Sequence, residues 1–213
     1  MAVTINNFNV STSDNESGAT LMPKLAYRFR VDFNGLGGNP SSTTVTRNVI
    51  SCGRPSLTHE EITVDAYNSK IYLAGKHAWN TIDITFRDDV DSNVIKQLGN
   101  QMNKQVDHNA QSSAFSGMQY KFNMSIATLD GSNDGNGNAQ ELDRWDLVGC
   151  FITNIQYGDL NYGSGSEMVQ VTCTIRYDNA AHEIVNGKFA GQDVMSGKET
   201  GTANTDERTS TKN

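Results

Sequence analysis

The sequence predicts a mainly β fold, a two-sheet β-sandwich or barrel with one flanking α-helix at about residues 91–108 and extended N- and C-terminal arms. Three observations predict it. Of 213 residues only 36% are hydrophobic and 19% charged, and 19 glycines accompany many Asn, Ser and Thr. Such residues favour turns, caps and exposed strand faces over long helices. Apolar and polar side chains alternate with period two in several segments, and one segment has helical spacing instead. One domain, residues 21–180, is expected between an N-terminal arm (1–20) and a C-terminal extension (181–213).

The strands follow in chain order. In AYRFRVDF (26–33), Tyr27, Phe29, Val31 and Phe33 share one face and Arg28, Arg30 and Asp32 the other. That is the mark of a half-buried strand. TVTRNVIS (44–51) and EITVDAY (61–67) are weaker strands, and NTIDITFR (80–87) alternates Ile82, Ile84 and Phe86 with Thr81, Asp83 and Thr85. KFNMSIATL (121–129) repeats the pattern, RWDLVGCFITNIQY (144–157) is weaker, and EMVQVTCTIRY (167–177) sets Val169, Val171, Cys173, Ile175 and Tyr177 against Gln170, Thr172, Thr174 and Arg176. Each sheet should bury one face and leave one on water or in a polar channel.

The exception is 91–108, where Val94, Ile95, Leu98, Met102 and Val106 recur at helical spacing behind Asp88, Asp89 and Asp91. Carboxylates suit a helix start, so capping explains this acidic cluster better than catalysis. The stripe should pack on the sandwich flank and leave Lys96, Asn100, Asn103 and Lys104 facing outward. From Ser196 onward there is one alanine and no larger apolar side chain, so burial cannot offset the entropy of ordering and a solvated, flexible tail is expected. Ile184, Val185, Phe189, Val194 and Met195 before it suffice to dock on a neighbour.

Charge excludes some functions. Lys+Arg number 17 and Asp+Glu 24, a net charge of −7. The excess is spread: −2 over residues 1–20, −3 over 21–177 (13 bases, 16 acids) and −2 over 178–213 (4 bases, 6 acids). A basic footprint for holding phosphate is missing, so a nucleic-acid reader is not expected. No run approaches the ~18 apolar residues of a membrane helix, and the first residues show no secretory pattern. The protein is expected to stay in the cytoplasm or leave by another route. Cys52, Cys150 and Cys173 have neither an even count nor C-x-x-C spacing; the two inside strand-like runs, Cys150 and Cys173, read as small core residues.

Catalytic patterns are missing too. The four histidines have no metal-ligand spacing, and HEEIT (59–63) lacks the second histidine of a zincin. GLGG (35–38) is followed by Asn-Pro rather than a helix start, which favours a hairpin turn over a phosphate cradle. GSGS (163–166) reads as a flexible connection. DGSNDGNGNAQE (130–141) places Asp130, Ser132, Asp134, Asn138 and Glu141 at the ligand spacing of a twelve-residue calcium loop, with Gly135 sixth. Its flanks are strands and Gly137 stands where an aliphatic residue is usual, so a polar hairpin tip fits equally. Calcium is the one cofactor the residues suggest.

Three blocks, PKLAYRFRVDF (23–33), the run 50–89, and RWDLVGCFITNIQYGDLNYGSGSEMVQVTCTIRYDNA (144–180), resemble the tail tube proteins of contractile-tailed bacteriophages, relatives of other contractile injection system tubes. The last block is the most specific: W-x-L-x-G, a short strand, G-D-L-x-Y, a Ser/Gly break, an acidic residue, and a strand ending in R-Y-D-N. The resemblance implies a β-sandwich or distorted barrel with one helix, no enzymatic activity, and hexameric rings stacked as a hollow tube inside a contractile sheath. Double-stranded DNA and a tape measure protein would occupy the lumen transiently, with baseplate and terminator proteins at the ends and no membrane contact. The protein would be made in the host cytoplasm and end in the virion tail.

A tube wall must not hold DNA, so polar or acidic strand faces are lumen candidates: Glu61, Thr63 and Asp65; Thr81, Asp83 and Thr85; Gln170, Thr172 and Thr174. The resemblance implies that the segment 58–78 reaches the adjacent ring, through His59, Tyr67, Asn68, Lys70, Tyr72 and His77. The outward helix face, Lys96, Asn100, Asn103 and Lys104, is the sheath candidate. Competing readings are the tube of a tailocin or type VI secretion system, and a calcium-dependent carbohydrate-binding β-sandwich in which Trp79 and Trp145 stack on sugar.

Overall fold

A computed structural model describes residues 23–39, 43–131, 140–163, 165 and 167–184. The elements are β1 (Phe29–Asn34), α1 (Thr43–Arg47), β2 (Val49–Cys52), β3 (Leu57–Ala66), β4 (Ser69–Trp79), β5 (Ile82–Arg87), α2 (Asn93–Gln105), the two-residue β6 (Val106–Asp107) and β7 (Ser112–Ser113), β8 (Phe122–Leu129), β9 (Glu141–Tyr157), β10 (Gln170–Arg176) and β11 (Asn179–Ile184). The main sheet runs β1-β8-β9-β10-β5-β2, with β11 also on β9. All these pairings are antiparallel.

The seventeen-residue β9 serves two layers. Its first part pairs with β8 and β11, and residues 151–157 pair with β10. The sheet folds over at this strand, and the alternating apolar faces meet inside. Val31 and Phe33, then Ile82, Ile84 and Phe86, then Phe122, Met124 and Ile126, then Val171, Cys173 and Ile175 are each no more than 5% exposed and form one cluster. Phe33 of β1 meets Phe86 of β5 across the layers, ring centroids 5.9 Å apart. Because β1 and β2 end the strand order without pairing to each other, the result is a sandwich with an open seam, not a closed barrel. Cys150 and Cys173 are buried as expected, and burial pushes both thiols up to about 12.

The flanking helix is present and shorter than its stripe suggested. Asp89 caps it, accepting from the Asn93 backbone N–H at 2.7 Å and its side-chain amide at 2.9 Å; these bonds hold the Asp89 carboxyl below its ordinary range. Val94 and Leu98 are buried, whereas Val106 leaves the helix to start β6 and is exposed. Two glutamines fix the helix to its surroundings. Gln101, fully buried, accepts from the Gly37 N–H at 3.1 Å and donates to the Tyr120 carbonyl. Gln105 bonds both the carbonyl (2.9 Å) and the N–H (3.1 Å) of Ile152 in β9. Gln101→Leu would strand two part-buried backbone groups and is expected to cost about 3 kcal/mol, roughly 6–12 °C in Tm. Thermal melting of the variant checks this.

Three expectations are corrected. Residues 44–51 are not one strand: Thr43–Arg47 form a short helix that puts Val45 into the core. GLGG is not a hairpin turn, since β1 and β2 do not pair. Leu36–Gly38 instead form a 3-10 turn against α2, and Gly37 (φ +63) lies so close that a Cβ there would be 2.9 Å from the Gln97 carbonyl oxygen. Tyr27 does not join the buried face of β1, because it sits in a turn before the strand and is exposed. In addition to the strands expected, residues 179–184 form β11, which pairs with the spare edge of β9.

Candidate assembly surfaces

The projecting hairpin is the first surface. β3 and β4 pair only with each other, in register Thr63↔Tyr72, Val64↔Ile71 and Asp65↔Lys70, and turn at Tyr67 (φ +51) and Asn68. Opposite residues in an antiparallel pair share a face, so Ile62, Val64, Ile71 and Leu73 form one apolar face, each 42–52% exposed. The other face carries Glu61, Thr63, Asp65, Lys70 and Tyr72, with Asp65 and Lys70 4.0 Å apart. His59 and His77 pair nearer the base, ring centroids 5.9 Å apart. All six inter-ring candidates therefore lie on one hairpin. Sequence reasoning missed its apolar face, because Ile62 and Val64 alternate just as core residues do.

The second surface is the outer face of the main sheet. Thr85 lies opposite Thr172, and Asp83 opposite Thr174, whose hydroxyl donates to the Asp83 carboxylate at 2.6 Å. Gln156 and Asn154 extend these rows onto β9, while Gln170 faces Arg87 and Thr81 is exposed just before β5. Five of the nine lumen candidates, Asp83, Thr85, Gln170, Thr172 and Thr174, thus share one polar face. Glu61, Thr63 and Asp65 sit apart from it, on the hairpin. The face is rich in Thr, Asn and Gln rather than acids, and the Arg87 guanidinium is turned aside to the Arg47 carbonyl at 3.2 Å. On α2, Lys96, Asn100, Asn103 and Lys104 are exposed, as their spacing predicted, with Lys96 donating to the Asp91 carbonyl at 2.8 Å.

The C-terminal motif block explains how the hairpin is held. Gly149 of W-x-L-x-G has φ +72, and a Cβ there would collide with the carboxylate of Asp178 in R-Y-D-N. Asp178 in turn accepts from the Lys121 ammonium at 2.6 Å, and its N–H bonds the Val148 carbonyl at 3.1 Å. The neighbouring Asn179 takes the indole N–H of Trp79 at 3.2 Å, and Trp79 packs on the buried Tyr177 with centroids 5.8 Å apart. The bend of β9 and the root of the hairpin are one structure. Trp145 is covered by His182, stacked at 4.2 Å, so neither tryptophan offers the free face that sugar stacking requires.

Of the calcium-loop candidates, Ser132, Asp134 and Asn138 lie outside the described residues, as do parts of GSGS. Glu141 accepts from Arg30 at 2.6 Å, so an ion at that position would compete with a guanidinium. Among the described residues no group of three or more His, Cys, Asp or Glu could hold a metal. Asp143 is the buried carboxylate of the molecule's described part. Burial opposes its charge, but Lys24 at 2.5 Å, with Arg54 at 3.6 Å, holds its carboxyl below the ordinary range.

No protein-family model and no curated protein matches the chain. Solved structures do. A chain of the 6-fold symmetrised anti-feeding prophage (AFP) baseplate is similar at 18% identity, covering 78% of this chain and 99% of that one, TM-score 0.57. A chain of the sheath-tube complex of an extracellular contractile injection system (PVC) in the extended state is similar at 14% identity, covering 86% and 99%, TM-score 0.54. A chain of the AFP tube-terminating cap is similar at 15% identity, covering 82% and 99%, TM-score 0.58. The chain thus has the fold of the tube proteins of contractile injection systems.

Proposed function

We propose that the protein is a tube subunit of a contractile injection machine, in its phage form the tail tube, built from stacked hexameric rings inside a contractile sheath. The observation that carries this reading is the β3-β4 hairpin. A two-stranded hairpin is marginal alone, and this one holds an apolar face in water that another protein surface must cover to stabilise it. Stacking rings supplies that surface in every copy. The six candidates from His59 to His77 then lie at the ring-to-ring contact. The outer edges of β11 and of the hairpin fit the same reading, since lateral joining of copies satisfies them.

The polar face around Asp83, Thr85, Thr172 and Thr174 is the proposed channel wall. Hydroxyl and amide groups bind water and present no cationic array, so phosphate sliding past releases few counterions and is not held. Wall charges act only within about 8 Å at physiological salt. Asp83→Lys in every copy is expected to leave rings intact by electron microscopy yet slow genome release by about tenfold or more, through phosphate binding. Unchanged release would remove Asp83 from the wall. Outside, Lys96, Asn100, Asn103 and Lys104 would meet the sheath, with tape measure protein and DNA passing inside and baseplate and terminator proteins closing the ends. The reading requires no cofactor, and no described helix is long and apolar enough to cross a membrane.

A second reading has its own support. The similar structures reported above come from injection systems, an anti-feeding prophage and an extracellular contractile injection system. A tube for protein cargo, as in a tailocin or secretion machine, would use the same hairpin and the same polar wall. Finding DNA or protein in purified full particles separates the two.

A further inference from the structure

The seam between β1 and β2 lies between the two ends of the strand order. Among the described residues β1 pairs only with β8 and β2 only with β5, so two rows of backbone donors and acceptors flank a groove of about 830 Å³. Val31, Val49 and Ile126 give it an apolar lining, and Lys24, Arg28, Arg30 and Arg54 make it basic. Arg54 reaches over one end to the Thr128 hydroxyl at 3.2 Å and to Asp143 at 3.6 Å. Asp32, Glu141 and Asp143 pair with Lys24, Arg30 and Arg54 from outside the groove, and Arg28 bonds the Asp130 carbonyl; the charged side chains that line the groove itself are all cationic.

An occupant must be extended, free of proline, alternately apolar, and acidic or neutral, because it must pair with strand edges and face cations. Residues 1–22 meet each of these conditions that a sequence can show. They hold no proline, lysine or arginine, their charged side chains are Asp14 and Glu16, and Val3 and Ile5 alternate with Thr4 and Asn6. The segment 185–213 fits less well, since its four bases balance its four acids. We infer that the groove takes the N-terminal segment of a second copy of this chain as an added strand. The described chain begins at Pro23, beside the Lys24 that lines the groove. A stretch of this length spans up to about 70 Å when extended, more than the ~45 Å breadth of a compact domain of this size. Passing the segment onward fills every groove and ties each copy to the next. The inference draws on the tube reading only in needing several copies.

The test uses the full chain in a Cys52→Ala background. Chains carrying Ile5→Cys are co-expressed with chains carrying Ile50→Cys, and Thr4→Cys and Asn6→Cys replace Ile5→Cys to cover the register. On oxidation, covalent dimers of the two chains are expected at one of the three positions, and Arg54→Glu should cut their yield by about tenfold. Internal closure without dimers, in a chain carrying both cysteines, would overturn the second-copy assignment. Failure to cross-link at all three positions, while electron microscopy shows intact rings or tubes, would overturn the groove and leave the tube reading standing. Absence of any assembly would overturn both.

Discussion

Val64→Glu combined with Ile71→Lys is expected to abolish stacking of rings while leaving the subunit folded. The two residues are direct cross-strand partners on the apolar face of the hairpin. Opposite charges at a cross-strand pair keep the hairpin itself paired, and both positions are about half exposed, so Tm should stay within ~2 °C. Burying the new charges in a ring-to-ring contact, however, costs several kcal/mol per copy, and each ring repeats that cost. The concentration needed for tubes should rise by at least about a hundredfold. Thr63→Lys, on the opposite face of the same hairpin, should be far milder. Tubes of normal length from the double variant would show that this face is not the contact.

Gly149→Val is expected to have the largest effect on stability. A β-branched residue at φ +72 is strained, and its Cβ would displace the Asp178 carboxylate from Lys121. Together these should cost about 4 kcal/mol, or roughly 8–16 °C in Tm. Scanning calorimetry measures it. In a Gly149→Ala background, Asp178→Ala removes the collision and not the backbone strain, so it should restore part of the loss. A wild-type Tm for Gly149→Val would mean that the bend of β9 does not depend on this glycine. Because Trp79 and Asn179 join the same junction, loosening it should also free the root of the hairpin.

The strands whose faces alternate were legible in the sequence because one side is core and the other is not, as β1, β5, β8 and β10 show. The helix was legible through its stripe and Asp89. What escaped was decided by partners distant in sequence. Thr43–Arg47 is rich in β-branched residues and reads as strand, yet one helical turn there buries Val45 completely, a gain that outweighs propensity. β11, with Ala180, Ala181 and His182 in its middle, has no strong alternation and is a strand because β9 has an unused edge. Gln101, Gln105 and Asp143 follow no pattern at all, since a buried polar side chain is explained by the groups it satisfies.

At the candidate surfaces the same limit operates. The polar residues of the hairpin and of the β5-β10 face could be named, but alternation alone could not say that they belong to two different sheets. Nor could it reveal that the apolar residues of β3 and β4 face water. The exposed Leu160, Tyr162, Met168 and Val169 between β9 and β10 are a further case. Their types suggest a core, and only their place in the fold shows that they face water.

The tube reading requires that this chain close into rings and that the rings stack. Electron microscopy of the purified full-length protein at assembly concentrations, alongside its mass in solution, tests it most directly. Hollow rings of six subunits and tubes built from them are expected, with a ring mass six times the 23.3 kDa of the chain. Dispersed 23.3 kDa monomers at every concentration, with neither rings nor tubes, would contradict it.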